Sequence, residues 1–156
     1  MEWAPLSLRL AIGMGYVHHG WHHVFFRGQR AANEWVLGGI GLPSPHTAGF
    51  IISALSFACG IALILGAYVR VATLPPLIMT WCGLVTVSIG NGFDFMHVVR
   101  VDAAGPQLGF PGYEVPVIYI AALVSLAASG AGRFSIDALR SRRRAGRSVR
   151  EPADKT

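Results

Sequence analysis

From Thr47 to Phe93 the chain carries a single charged residue, Arg70. A soluble domain does not ordinarily sustain such a run, because about a quarter of its residues are charged. Here 13% of 156 residues are charged and 53% are hydrophobic, with a mean hydropathy of +0.48. Arg70 divides the run into two segments, about 47–69 and 71–93. Each matches the roughly 20 helical residues that cross a bilayer. Two further apolar segments, about 5–26 and 115–132, have comparable length. Barrel strands would be about half as long and would alternate in polarity, so length assigns helices. The expected architecture is an all-α membrane protein: a four-transmembrane-helix bundle over residues 1–133, then a basic tail over 134–156.

The connections and charges give the bundle a direction. Residues 28–46 read as a polar, Gly/Pro-rich loop ending in Leu42-Pro43-Ser44-Pro45. Tyr68-Val69-Arg70 reads as a tight turn, and residues 91–114, with Asp94, Arg100, Asp102, Pro106 and Pro111, as a longer connection. Pro75-Pro76 falls in the first turns of the third helix, where proline removes few hydrogen bonds. Net charge is +5, but the excess is local: Arg133, Arg140, Arg142, Arg143, Arg144, Arg147, Arg150 and Lys155 all lie near the end. Four spans place both termini on that side. The other side holds Arg27, Arg30 and Arg100. The excess of basic residues marks the cytoplasmic face, so both termini are expected there. A tail of this kind meets anionic lipid headgroups, not nucleic acid. Residues 134–140 are expected to form a short interfacial helix ahead of it. Glu2 stands where a signal peptide would be positive, and no small-residue cleavage site precedes Gly20, so the first segment is expected to be a retained span.

That first segment holds the unusual chemistry. From Leu8 it reads LRLAIGMGYVHHGWHHVFF. Arg9, Gly13, Tyr16, Gly20 and His23 share one helix face at about 100° per residue. The face is polar and small, unlike a lipid-facing surface, and is expected to pack on other helices. His18/His22 and His19/His23 are i,i+4 pairs, a spacing that can hold a metal ion, with His97 or Asp94 as a further ligand. The competing reading is a helix end at headgroup depth, where His and Trp reside readily. A bis-His haem needs ligands from facing helices, and only this helix has histidines within a span. Quinone suits the segment better than metal or haem. Its carbonyls accept hydrogen bonds from His, Arg or Tyr, and its ring needs an aromatic slot; Arg9, Tyr16, Trp21 and His23 offer these groups. Arg9 lies toward the opposite membrane face from His23, where it can instead snorkel to headgroups.

Elsewhere the residues read as structural. Ser53, Ser56 and Gly60 in the second helix, and Ala121, Ser125, Ala128 and Gly132 in the fourth, form small-residue stripes of the kind that seat neighbouring helices. Cys59 and Cys82 read as small apolar core residues. Hydrolysis finds no support: there is no GxSxG, HExxH or Walker loop. No acid lies within the four segments, which leaves proton-coupled transport little to work with.

The order of several short motifs resembles the DoxX family of small four-helix bacterial membrane proteins, over the chain to about Arg140. These are LSLRLAIGMGYVHHGWHHVF with its His19-Gly20 pair, GGIGLPSP before the second helix, ACGIALILGAYVRVATL across the turn, NGF at Asn91–Phe93, GYE at Gly112–Glu114, and GRFSIDAL. The resemblance implies an integral subunit of a redox complex in the bacterial inner membrane, with a quinone as cofactor and other membrane subunits as partners. It implies roles for Arg9, His19 and Gly20, and for Tyr113 and Glu114. Where relatives often carry lysine this chain has His23. Where they often carry an acid in the second helix and a histidine late in the third, it has Ser56 and Ser88. Those departures point to the alternative, a non-catalytic accessory subunit docked on a larger membrane complex.

Overall fold

The computed structural model describes residues 3–148. Glu2, and Arg150 and Lys155 of the basic tail, lie outside the described residues. The described chain is mostly helical: α1 (Ala4–Phe25), α2 (Arg27–Gly39), α3 (Pro45–Leu65), α4 (Val69–Ala72), α5 (Leu74–Gly83), a π turn (Leu84–Ser88) and a 3-10 turn (Ile89–Asn91), strands β1 (Val98–Asp102) and β2 (Gly105–Leu108), α6 (Glu114–Ser129) and α7 (Ile136–Ser148). By length and composition two stretches can cross a membrane, Pro45–Leu65 and Val69–Asn91. Both keep large apolar side chains exposed, among them Ile51, Ile61, Ile78 and Trp81. A contiguous belt of that kind calls for lipid or protein to cover it.

The helices pack in the cyclic order α1, α3, α5, α6, with α1 and α3 sharing the largest interface. Glycine makes that interface close. A Cβ on Gly60 would stand 2.7 Å from the Val17 nitrogen and 2.8 Å from the Gly13 oxygen. One on Gly20 would stand 2.6 Å from the Phe57 nitrogen and 2.7 Å from the Ser53 oxygen. Ser53 and Ser56 are buried in the same seam, each hydroxyl turned back onto a carbonyl four residues earlier. That satisfies the hydroxyls without a partner helix. The core beside it is Ile12, Tyr16, Leu63, Val69, Ala72, Ala122, Leu123 and Leu126.

Residues 66–73 turn the chain sharply. Gly66 ends α3 at φ 68°, and a Cβ there would collide with the Arg9 guanidinium. Left-handed backbone and close approach together require glycine. Tyr68 follows at φ 50°. The Asp137 carboxylate holds this turn from α7: its two oxygens accept the Tyr68 N–H at 2.8 Å and the Val69 N–H at 3.0 Å.

The fold corrects several expectations. Residues 27–39 form helix α2, not loop; the Gly and Pro signals begin only after it, and its Asn33, Glu34 and Leu37 pack beside Gly49 of α3. The connection from Asn91 to Glu114 contains an antiparallel hairpin, β1–β2, so the chain is not wholly α. The fourth apolar segment is helical for 16 residues, Glu114–Ser129. Its buried face is Ala122, Leu123 and Leu126, so the small residues Ala121, Ser125 and Ala128 face outward and are exposed among the described residues. Cys59 is buried as expected, but Cys82 is exposed. The short helix after Phe134 exists but runs on as α7 to Ser148.

Candidate functional site

Helix α1 presents three chemically distinct levels along one face. Arg9, Gly13, Tyr16 and Gly20 are all buried and His23 is half-buried, as the shared-face reading requires. At 1.5 Å per residue Arg9 and His23 lie about 21 Å apart, so no single small molecule head bridges them.

The lowest level is structural. Arg9 is 1% exposed. Its guanidinium donates to the Ala131 carbonyl and, at 2.7 Å, to the Phe134 carbonyl. Both lie in the segment between α6 and α7, whose carbonyls are not paired by either helix. Arg9 therefore does not snorkel to headgroups: it reaches inward and clamps the chain between α6 and α7.

The middle level is a pair of hydroxyls. The Tyr16 hydroxyl meets the Thr80 Oγ1 across the bundle and donates to the Pro76 carbonyl at 3.2 Å. Thr80 donates to the same carbonyl at 2.8 Å. Tyr119 of α6 stands edge-on to Tyr16, ring centres 5.8 Å apart. Neither Thr80 nor Tyr119 was picked out from the sequence. The available signal was a polar group isolated in an otherwise apolar helix.

The upper level holds the histidines. The rings of His19 and His23 lie 4.3 Å apart and those of His18 and His22 lie 4.2 Å apart. His22 also stacks on Phe26 at 4.9 Å. The i,i+4 pairs thus meet ring against ring. Among the described residues His23 Nδ1 is buried and makes no hydrogen bond, although the ring lies beside the Gln29 backbone. Leaving such a nitrogen unpaired costs about 1–3 kcal/mol, so it needs an explanation. Trp21 points another way, against Phe25 at 4.1 Å and Phe57 at 6.0 Å, and is exposed.

The remaining candidates lie apart. Glu114 opens α6, and its Oε2 accepts the Phe95 N–H at 3.2 Å, tying the hairpin segment to the helix. His97 precedes β1, and its carbonyl accepts the Gly109 N–H. Among the described residues no group of three or more His, Cys, Asp or Glu side chains is gathered to hold a metal ion. A cavity of about 460 Å³ opens at the Arg9 end of the bundle, not beside the histidines. Of the sequence candidates, then, the fold brings His19 and His23 together above Tyr16. It separates Arg9, Trp21 and Glu114 from them.

A family model described as DoxX matches residues 4–89. No curated protein and no solved structure matches.

Proposed function

Because this chain belongs to the DoxX family of membrane proteins, we propose that it is an integral subunit of a quinone-linked membrane oxidoreductase. In this reading α1 and α6 complete a four-span bundle with α3 and the α4–α5 segment. Both termini are cytoplasmic, beside Arg70, Arg133, Arg140, Arg142 and Arg143, and the membrane is the bacterial inner membrane. The histidines and Arg9 mask α1 as a span by hydropathy. Helix α6 rises about 24 Å and spans most of the hydrocarbon core.

The observation that carries the redox reading is the unpartnered, buried Nδ1 of His23. A quinone carbonyl is an acceptor that an imidazole N–H can satisfy. The residues present fit that group: His23 to hold the carbonyl, and His19, packed on its ring, to fix its orientation. A bound quinone would supply two-electron, two-proton redox capacity. His19 and His23 would hold and pass protons at their ring nitrogens. Tyr16 and Thr80 fix α1 against α5 below the histidines.

The test is quinone occupancy of the purified protein by native mass spectrometry. His23→Ala should lower occupancy at least about ten-fold, the loss of one well-made hydrogen bond, and His19→Ala, which removes the ring packed on His23, should lower it in the same direction. His18→Ala and His22→Ala should leave it unchanged, and all four proteins should insert. Equal occupancy in wild type and H23A would sink the reading.

A second reading rests on a different observation. Ala121, Ser125 and Ala128 form an outward stripe on α6 that is exposed among the described residues. Such stripes let helices approach closely. As an accessory subunit, the chain would dock this face on a larger membrane complex. Ser125→Leu should then release the protein from that complex on native gels while the isolated bundle keeps its melting temperature. Retained association of S125L would exclude this face as the seat.

A further inference from the structure

The cavity at the Arg9 end lies between the Tyr68 turn, the end of α6 and the start of α7. Its walls include Tyr68, Arg70, Val71, Ser129, Ser135 and Asp137. Arg70 is exposed, and among the described residues its guanidinium has no hydrogen-bond or ion-pair partner. The Arg140 guanidinium stands at the rim, 4.6 Å from the centre of the Tyr68 ring. The acid in the lining, Asp137, is turned onto backbone donors. Both Asp137 oxygens accept backbone N–H groups, from Tyr68 and Val69. The carbonyls of Ala131 and Phe134, between α6 and α7, are covered by Arg9. What faces the cavity is the Arg70 guanidinium, a second guanidinium at the rim, Asp137, and serines whose hydroxyls donate to carbonyls of their own turns.

We propose that this cavity binds a phosphate-bearing anion through Arg70 and Arg140. The planar fork of arginine matches phosphate oxygens two at a time. A volume of about 460 Å³ holds a phosphate with part of a glycerol. The phosphate can be the headgroup of an acidic phospholipid or free phosphate. The lipid source fits the surroundings: exposed Tyr68, Val71 and Leu74 continue from the cavity mouth along the apolar flank of the bundle, where acyl chains would lie. This proposal is independent of the histidine site at the other end.

Two arms separate the sources. The full chain is placed in phosphatidylcholine nanodiscs, and phosphatidylglycerol is added in steps, with retained lipid counted by native mass spectrometry. In the second arm inorganic phosphate is titrated into phosphatidylcholine-only nanodiscs, with melting temperature as the readout. Retention of phosphatidylglycerol over phosphatidylcholine, weakened about five-fold by Arg70→Gln or by Arg140→Gln, supports the site with a lipid source. Stabilisation by phosphate alone, lost in the same variants, supports it with a soluble source. The controls are Arg142→Gln and Arg143→Gln, which keep the diffuse attraction of α7 for an anionic surface; Arg140 differs from them in standing over the Tyr68 ring of the cavity wall. Equal losses in R70Q and R142Q, or no response to either anion, would overturn the proposal. R140Q carries the test if R70Q fails to insert, since Arg140 is exposed and stands over the Tyr68 ring.

Discussion

Arg9→Ala should cost the bundle about 2–4 kcal/mol of stability, because it strips two carbonyls of a charged donor in a place water does not reach. Arg9 is 1% exposed and holds both Ala131 and Phe134 by their carbonyl oxygens. Truncation leaves those oxygens unpaired and opens a guanidinium-sized void beside Gly66. Removing a buried charge returns part of the loss, which is why the figure is not larger. Arg9→Lys keeps the charge but reaches the two carbonyls with a single ammonium in place of a fork, and should recover about half. The measurement is the denaturation midpoint in detergent, with hydrogen exchange at residues 131–134 as the local readout. Unchanged exchange there in R9A would remove the clamp from the account of the fold.

The second large effect lies in the α1–α3 seam. Gly20→Val should cost about 3 kcal/mol or more, because the new side chain meets backbone, which cannot rotate away. The nearest atoms to a Cβ would be the Phe57 nitrogen at 2.6 Å and the Ser53 oxygen at 2.7 Å. The helices must separate, and the closest interface of the bundle loses its contacts. Gly20→Ala should show the same sign with a smaller size. Gly83→Ala is the control: nothing lies within 4 Å of a Cβ there, and alanine within a helix stabilises by about 0.5–1 kcal/mol. Melting temperatures in one detergent, read across the three variants, give the ordering. A G20V protein as stable as wild type would mean that α1 and α3 do not approach as described.

The polar stripe of α1 was legible before any coordinates, because five residues at helical spacing announce a face and Arg9 and Tyr16 are costly to leave in lipid. The role of that stripe was less legible. Arg9 could be placed at one end of a helix, but its partners are backbone carbonyls more than a hundred residues away, and carbonyls carry no sequence signature. The fourth helix misled for a related reason. Ala121, Ser125 and Ala128 and the buried Ala122, Leu123 and Leu126 are all apolar or small, so a span with no polar face gives no rotation. Helix α2 was read as loop because Arg27, Gln29, Arg30 and Glu34 interrupt the apolar pattern. The contact of Leu37 with α3 that holds it is tertiary. At the histidine end the i,i+4 pairs could be read from spacing. The unpartnered nitrogen of His23 could not, since it depends on what its neighbours already bond.

The reach of the Arg9 clamp sets a schedule for the ribosome. Its two acceptors follow it by 122 and 125 residues. At 5–20 residues per second a nascent chain therefore carries an uncompensated guanidinium for roughly 6–25 s after making it. Any product broken off before Ala131 keeps that charge permanently unmatched, in a segment that otherwise prefers oil. A chain that stops before Ala131 lacks both of the carbonyls that Arg9 holds in the finished bundle.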